Sequence, residues 1–139
     1  MLDGSIKIKM FKKARNALSR AYAPYSGVFV AAAVLDDNGE IHIGVNVENA
    51  SYGLTICAER NAIANAVSNG MKKIAAILIV SNKGAIAPCG ACRQVIWEFV
   101  DNDAPIFLAD CDGIKKKTTI AGLLPEAFDK SDLKGKKCE

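Results

Sequence analysis

Aromatic residues, histidines and long apolar runs are all scarce in this sequence, and each shortage argues against a class of function. Only 6% of the residues are aromatic and the net charge is +3, whereas proteins that grip single-stranded nucleic acid need stacking aromatics and a basic groove. No apolar run approaches the roughly 18 residues of a transmembrane helix. Residues 1–7 lack the apolar stretch of a secretory signal. We therefore expect a cytoplasmic protein whose partners include neither nucleic acid nor membrane.

Disulfides are also unexpected, because the sequence has five cysteines and an odd number does not suit a disulfide framework. Cys111 and Cys138 stand apart from the other three and are expected to be free thiols, since a reducing cytosol disfavours disulfides. The length fits one domain over residues 1–139, with a loose C-terminal tail from about residue 130.

The order of helical and strand patterns predicts an α/β protein. Periodicity, apolar runs and turn residues predict a helix over 7–21, strands over 28–35 and 41–47, a helix over 57–69, a strand over 74–80, a helix over 89–100, strands over 105–109 and 114–118, and a short helix capped by Thr119. This order implies a mixed sheet flanked by helices, in which the two β-α-β crossovers are parallel and right-handed.

Three of the cysteines form the most informative motif of the chain. Cys57, Cys89 and Cys92 follow the pattern C-x₃₁-C-x₂-C, and Glu59 lies two residues after the first of them. Three thiolates are typical of a catalytic zinc site, because they leave one coordination position for water, whereas a structural zinc usually has four protein ligands. A carboxylate beside such a site is well placed to move the protons of that water. The motif therefore predicts zinc-dependent hydrolysis.

The predicted helices explain how residues so far apart could meet. Cys57 begins one helix and Cys89 with Cys92 begins another, and side chains in a first turn lean towards the helix N-terminus. The unpaired N–H groups and positive partial charge at each helix start favour thiolates. We therefore expect both helices to begin beside the same edge of the sheet.

The second strand carries a further candidate group. Its alternation places the polar residues His42, Asn46 and Glu48 on the opposite face from the isoleucines and valines. Asn46 and Glu48 stand at the end of the strand, just before the loop that leads to the first cysteine. His42 lies further back and is interpreted as an ordinary strand residue.

These motifs resemble the cytidine deaminase family, in particular its small homo-tetrameric nucleoside branch. The resemblance covers about residues 8–130 and is carried by Tyr22-Ala23-Pro24-Tyr25-Ser26, Asn46-Val47-Glu48-Asn49-Ala50-Ser51-Tyr52, Cys57-Ala58-Glu59-Arg60, Pro88-Cys89-Gly90-Ala91-Cys92 and Leu123-Leu124-Pro125-Glu126-Ala127-Phe128. It implies a cytidine-deaminase-like three-layer α-β-α sandwich with a five-stranded mixed sheet. It also implies one zinc ion per subunit and a homo-tetramer with shared active sites.

The resemblance also implies a reaction, the deamination of cytidine or deoxycytidine in pyrimidine salvage. Water activated by the metal attacks C4 of the cytosine ring, and Glu59 carries protons to N3 and to the leaving amino group. Arg60 hydrogen-bonds the ligating thiolates; the alternative is a surface arginine. The backbone at Ala58 contacts the amino group.

The remaining implied roles concern the nucleoside and the neighbouring subunit. Asn46 and Glu48 bind the ribose 3′-hydroxyl, unless they are merely solvated polar residues at a strand end. Tyr52 and Phe128 match positions that reach into a neighbouring subunit's site, unless they are core aromatics.

Val28 is the clear departure from the family pattern. Relatives usually carry phenylalanine at this position, stacked on the cytosine ring. Phe29 follows immediately, but strand alternation sends it to the opposite face, so it is expected in the core. The hypothesis is therefore that this protein binds cytosine less tightly than its relatives do, or that it accepts a bulkier base.

Three other functions remain open from the residues. A deaminase of a modified cytosine, such as the blasticidin S type, would be expected to lack the motif from Asn46 to Ala50. The low aromatic content and the modest net charge argue against a polynucleotide editor. A non-catalytic zinc module is disfavoured by Glu59 and by the absence of a fourth ligand.

Overall fold

The computed structural model describes residues 2–135 and 138, which form a sheet covered by helices on both faces. In chain order the helices and strands are α1 (Gly4–Ala17), β1 (Val30–Asp36), β2 (Ile41–Val45), α2 (Ala58–Ser68), β3 (Ile74–Ser81), α3 (Gly90–Trp97), β4 (Pro105–Asp110), β5 (Gly113–Thr119) and α4 (Ile120–Leu123). Single 3₁₀ turns lie at Leu18–Arg20, Tyr52–Leu54 and Asp132–Lys134. No helix within this described part of the chain has the length and apolarity needed to cross a membrane.

The five strands form one mixed sheet in the order β2-β1-β3-β4-β5. β1 is antiparallel to both of its neighbours, β3 is parallel to β4, and β5 is antiparallel to β4. Because β2 and β3 both oppose β1, they run in the same direction. The two β-α-β crossovers are therefore parallel, as predicted, and the first one passes over β1.

Helices cover the two faces unequally, which gives the three-layer sandwich that was expected. Alternate residues of β1, β3 and β4 pack on one face against α2, α3 and α4. The intervening residues pack on the other face against α1 alone. β1 is buried along its whole length, as its unbroken apolar run predicted.

The helix ends differ from the predicted ones for local reasons. α1 begins at Gly4 rather than at residue 7, because the Asp3 side chain accepts a hydrogen bond from Ser5 N at 3.0 Å and caps the helix. α3 ends at Trp97 rather than at residue 100. There the Phe99 carbonyl accepts from Ile74 N at 2.9 Å, so the chain leaves the helix to extend the sheet beside β3. Part of the predicted loose tail, namely Lys136, Lys137 and Glu139, lies outside the described residues.

Gly44 sets the distance between β2 and α2. A Cβ atom at this position would lie 2.1 Å from Ala62 N and 2.5 Å from the Ala58 carbonyl oxygen. Only the absence of a side chain allows the helix to approach the strand so closely. On the same strand His42 is buried and pairs with Asp36 at 2.7 Å, so it is a strand residue without a role in the site, as expected.

Candidate active site

The three cysteines meet because two helices begin at the same place. Cys57 is the N-cap of α2 and Cys89 is the N-cap of α3, while Cys92 lies in the first turn of α3 and is fully buried. The backbone N–H of Cys92 donates to Cys89 Sγ at 3.5 Å. The predicted convergence of two helix starts is therefore confirmed.

The spacing of the sulfur atoms fits a tetrahedral zinc ion. Cys57 Sγ and Cys89 Sγ are 3.8 Å apart, and all three sulfur atoms lie within 4.8 Å of one another. Two ligands of a tetrahedral ion with Zn–S bonds of about 2.3 Å are separated by about 3.8 Å. Three soft sulfur donors with one coordination position left for another ligand are the donor set of a catalytic zinc site.

Protonation of the thiols is already uneven in this arrangement. Hydrogen bonding with Cys92, supported by Arg60 and Cys89, lowers the pKa of the Cys57 thiol. The same contact with Cys57, together with burial, raises the pKa of the Cys92 thiol. Metal binding must therefore displace a proton from Cys92, because only thiolates ligate zinc.

Glu59 lies in the first turn of α2 and points to the cysteines. Its side chain is only 5% exposed, and its Oε2 accepts a hydrogen bond from Cys92 Sγ at 3.3 Å. Burial raises the pKa of the Glu59 carboxyl, because desolvation disfavours the charged form. A carboxyl that exchanges protons readily beside a metal site suits general acid–base chemistry.

Arg60 contacts the cysteine cluster through its guanidinium group. Its Nη2 donates to Cys57 Sγ at 3.5 Å, whereas its buried Nε has no hydrogen-bond partner. The thiolate beside it raises the pKa of the guanidinium, which stays charged. The predicted contact with a ligating sulfur is thus present, and a purely surface arginine is excluded.

A pocket of about 240 Å³ opens in front of these residues. Its walls contain two of the cysteines, Glu59 and several of the predicted substrate-binding residues, together with aliphatic side chains; the lining residues are Ser26, Val28, Val30, Asn46, Glu48, Thr55, Cys57, Ala58, Glu59, Ile86, Ala87 and Cys89. The pocket therefore combines an apolar wall with polar groups that converge on the metal-ligand cluster, as ligand sites generally do.

Asn46 and Glu48 line this pocket but also hold the chain beside it. Asn46 donates from Nδ2 to the Val28 carbonyl at 2.8 Å and accepts from Val30 N at 2.9 Å. Glu48 accepts from the backbone N–H groups of Tyr25 and Ser26 and from the Ser26 hydroxyl. The Ser26 hydroxyl is the main reason that the pKa of Glu48 is lowered.

The two neighbouring residues Val28 and Phe29 separate as expected. Val28 lines the pocket and packs against the cluster on the α2 face of the sheet. Phe29 packs against the cluster on the α1 face, so it belongs to the core and does not replace an aromatic in the pocket.

Tyr52 and Phe128 remain outside the pocket of their own chain. Tyr52 is 75% exposed and Phe128 is 60% exposed, so the interpretation of either as a core aromatic is wrong. Tyr52 lies beside Tyr25, with ring centroids 6.0 Å apart, and both line a second pocket that shares Ser26, Glu48 and Thr55 with the first.

Sequence reasoning missed the residues that shape the pocket from loops. Ser26 holds Glu48, and Asn82 holds the same segment by accepting from Phe29 N at 2.9 Å and donating to the Gly27 carbonyl at 3.0 Å. Thr55, Ile86 and Ala87 complete the wall. Their positions depend on loops between elements, and no periodicity or spacing marks them.

Comparisons with known proteins settle the family. The model of the cytidine and deoxycytidylate deaminase zinc-binding region matches residues 5–108, about three quarters of the chain. The chain belongs to this deaminase family. One zinc ion per chain is its cofactor, since the family's zinc-binding region coincides with a cysteine cluster placed to hold the metal.

Individual relatives of this deaminase extend the match over nearly the whole chain. This chain is 44% identical over 126 residues to a cytidine deaminase of Sporosarcina psychrophila, and the alignment covers 90% of this chain and 93% of that one. Its fold is similar to the crystal structure of cytidine deaminase from Burkholderia pseudomallei, with a TM-score of 0.82, 43% identity, and coverage of 87% and 98%. The cytidine deaminase structure from Mycobacterium tuberculosis gives a TM-score of 0.77 at 37% identity, with coverage of 88% and 96%.

Proposed function

We propose that this deaminase hydrolyses cytidine and deoxycytidine, releasing ammonia and leaving uridine or deoxyuridine. One observation carries the proposal. The buried carboxyl of Glu59 lies 3.3 Å from Cys92 Sγ, inside a pocket that also contains Cys57 and Cys89. The pocket therefore brings together a metal site, a proton carrier and an apolar wall for a flat ring.

The chemistry divides between the metal and Glu59. When bound, zinc supplies the nucleophile, because it makes a water molecule ionise near neutral pH. Glu59 accepts a proton from the attacking water and delivers it to N3 of the cytosine ring. It then carries a second proton to the 4-amino group, and ammonia leaves as the C4–N bond breaks. The overall balance is cytidine plus water to uridine plus ammonia.

Arg60 and Ala58 support this chemistry from the edge of the pocket. Three thiolates carry more negative charge than one zinc ion balances, and Arg60 draws charge from Cys57 through its 3.5 Å hydrogen bond. Ala58 is buried in the pocket wall beside Glu59, which supports the proposal that its backbone contacts the amino group of the substrate.

Asn46 and Glu48 bind the ribose in this proposal. The lowered pKa of Glu48 keeps its carboxylate charged, which makes it a strong acceptor for a sugar hydroxyl. An amide nitrogen has two N–H groups, and Asn46 uses one on the Val28 carbonyl, which leaves the other for the 3′-hydroxyl. Both side chains line the pocket, so the site selects a nucleoside over a free base.

The site is completed in a homo-tetramer, in which Tyr52 and Phe128 reach neighbouring pockets. Both aromatics are largely exposed in one chain, although aromatic side chains are mostly buried in folded proteins. Further apolar residues of the same region are exposed: Tyr25 lies beside Tyr52, Leu54 shares its 3₁₀ turn, and Val47 forms β-bridges with Tyr22 and Ile56. Such a patch marks a contact surface. The proposal includes a cytoplasmic location, where free thiols and zinc thiolates persist.

A second candidate substrate is a modified cytosine nucleoside. Val28 favours it, because an aliphatic residue at the pocket wall leaves more room for a substituted base than a phenyl ring would.

Two measurements on the purified protein test the proposal together. Zinc content should be about one ion per chain, and cytidine should lose its absorbance on incubation while ammonia appears in equal amount. A zinc-loaded protein that leaves both cytidine and deoxycytidine unchanged, but converts a substituted cytosine nucleoside, would transfer the assignment to the second candidate.

A further inference from the structure

Arg93 connects the metal-ligand loop to the C-terminal part of the chain. It lies in α3, one turn after Cys89, and is half-buried. Its Nε donates to the Pro88 carbonyl at 2.8 Å, and its Nη1 donates to the Leu123 carbonyl at 2.7 Å. Pro88 is fully buried and immediately precedes a zinc ligand. One side chain therefore fixes two backbone segments that are 35 positions apart.

The next residue holds the same C-terminal segment at a second point. Gln94 Nε2 donates to the Phe128 carbonyl at 2.7 Å. Between the two bonds, Glu126 adopts a positive φ of 53°, which non-glycine residues rarely take unless surrounding contacts impose it. The segment 123–128 is thus held at both ends by neighbouring side chains of α3.

We propose that Arg93 and Gln94 form a clamp through which one helix sets the positions of both the zinc ligand Cys89 and the aromatic ring of Phe128. This inference rests on the proposed function, in which Phe128 serves a neighbouring site. Neither side chain belongs to the metal-ligand cluster or to the lining of the pocket in front of it, so Arg93 and Gln94 are positioning residues. The clamp couples the metal centre to the shared part of the active site.

The planar guanidinium is what allows Arg93 to do this. Its N–H groups project in fixed directions and reach two carbonyls at once. A lysine ammonium is a single point on a flexible chain, so it can satisfy one carbonyl but cannot hold both in register. Arg93→Lys therefore removes the coupling and keeps the charge.

Substitutions of Arg93 and Gln94 should give different results, which distinguishes the clamp from a general loss of folding stability. Arg93→Lys should speed zinc loss to a chelator by about 10-fold, the lower end of the effect of residues that support metal ligands. Gln94→Leu should leave zinc loss unchanged, because Gln94 bonds only the C-terminal segment. Both variants should raise KM for cytidine by about 2- to 10-fold, the usual effect of one lost hydrogen bond.

Trp97 reports on the same segment without any turnover. It is the one tryptophan of the sequence, and it lines a cavity of about 390 Å³ together with Asp129, the residue after Phe128. Quenching of its fluorescence by acrylamide should increase in both variants, because the segment moves away from the indole. Arg15→Lys is the matched control, since Arg15 Nε also donates to a backbone carbonyl, that of Cys111 at 3.2 Å, on the opposite face of the sheet. It should change none of these readouts.

Either of two results would overturn the clamp. One is zinc loss and quenching that match the unmodified protein in both variants. The other is equal acceleration of zinc loss by Arg93→Lys and Gln94→Leu, which indicates loosening of the whole fold. If the unmodified protein fails to deaminate cytidine, the proposed function fails, yet zinc release and quenching still decide the clamp.

Discussion

Glu59 lies beside the cysteine cluster, yet a carboxyl and a thiolate have different chemical roles at a metal site. Cysteine thiolates hold soft metals, whereas a buried carboxyl with a raised pKa exchanges protons. Cys92 Sγ donates to Glu59 Oε2 at 3.3 Å, so under the proposed function the proton carrier lies directly beside the metal site. Substitutions of the two residue types should therefore both reduce turnover but differ in whether zinc is retained.

Glu59→Ala should reduce turnover of cytidine by about 10²- to 10⁴-fold, the usual contribution of acid–base catalysis. Zinc content should stay near one ion per chain. Cys89→Ala is the reciprocal variant and should lose zinc together with folding stability, because metal binding is coupled to folding. Metal analysis beside a turnover assay measures both, and a Glu59→Ala protein without zinc would show that Glu59 is a ligand.

Val28→Phe tests the residue that departs from the family pattern. A phenyl ring in the pocket wall should stack on cytosine and add about 0.5–1.5 kcal/mol beyond area burial, which is about 2- to 13-fold in kcat/KM for cytidine. The same ring should hinder 5-substituted and N4-substituted cytidines. The comparison is kcat/KM for each nucleoside with both proteins. Lower activity on cytidine, with a native preference for a larger base, would favour the modified-cytosine function.

At the scale of elements, the position of α2 matters most, because its first turn carries Cys57 and Glu59. That position depends on contact with β2, where Gly44 lies against the backbone of Ala58 and Ala62. Backbone atoms cannot rotate out of the way, so any side chain at Gly44 must displace the whole helix.

Gly44→Ala should lower the free energy of unfolding by about 1–3 kcal/mol, as overpacking of a tight interface does. It should also weaken zinc binding, because Cys57 moves with the helix. Gly4→Ala is the matched control. A Cβ at Gly4 meets no atom within 4 Å, so this variant should be neutral or slightly stabilising. Denaturant unfolding of zinc-loaded and zinc-stripped protein measures both effects, and wild-type stability in Gly44→Ala would contradict the packing argument.

At the scale of the whole molecule, the proposed tetramer predicts complementation between inactive chains. A Glu59→Ala chain keeps Phe128, and a Phe128→Ala chain keeps Glu59. Reassembled together, they should regain part of the activity, because some pockets receive Glu59 from one chain and Phe128 from its neighbour. Turnover is measured after co-refolding, with each variant refolded alone as its control. Robust activity in a sample shown by light scattering to be monomeric would exclude shared sites.

The sequence by itself determined the layers and the metal ligands. Periodicity and apolar runs are local properties, so β1, β2, α2 and β3 lie where the pattern predicts them, within a few residues. Ligand chemistry is equally local. The sequence alone indicates a zinc centre, because it places three cysteines at helix starts and a glutamate two residues after the first of them.

Only the tertiary structure decided the features that depend on contacts between distant segments. α3 ends early because its next residues pair with Ile74, and the Asn46 amide bonds Val28 and Val30 where the chain enters β1. Tyr52 and Phe128 prove to be exposed, although a core position was the alternative that the sequence left open for them. Arg93 joins the segment before α3 to the end of α4 through backbone carbonyls, which every residue possesses, so no side-chain pattern in the sequence marks its partners.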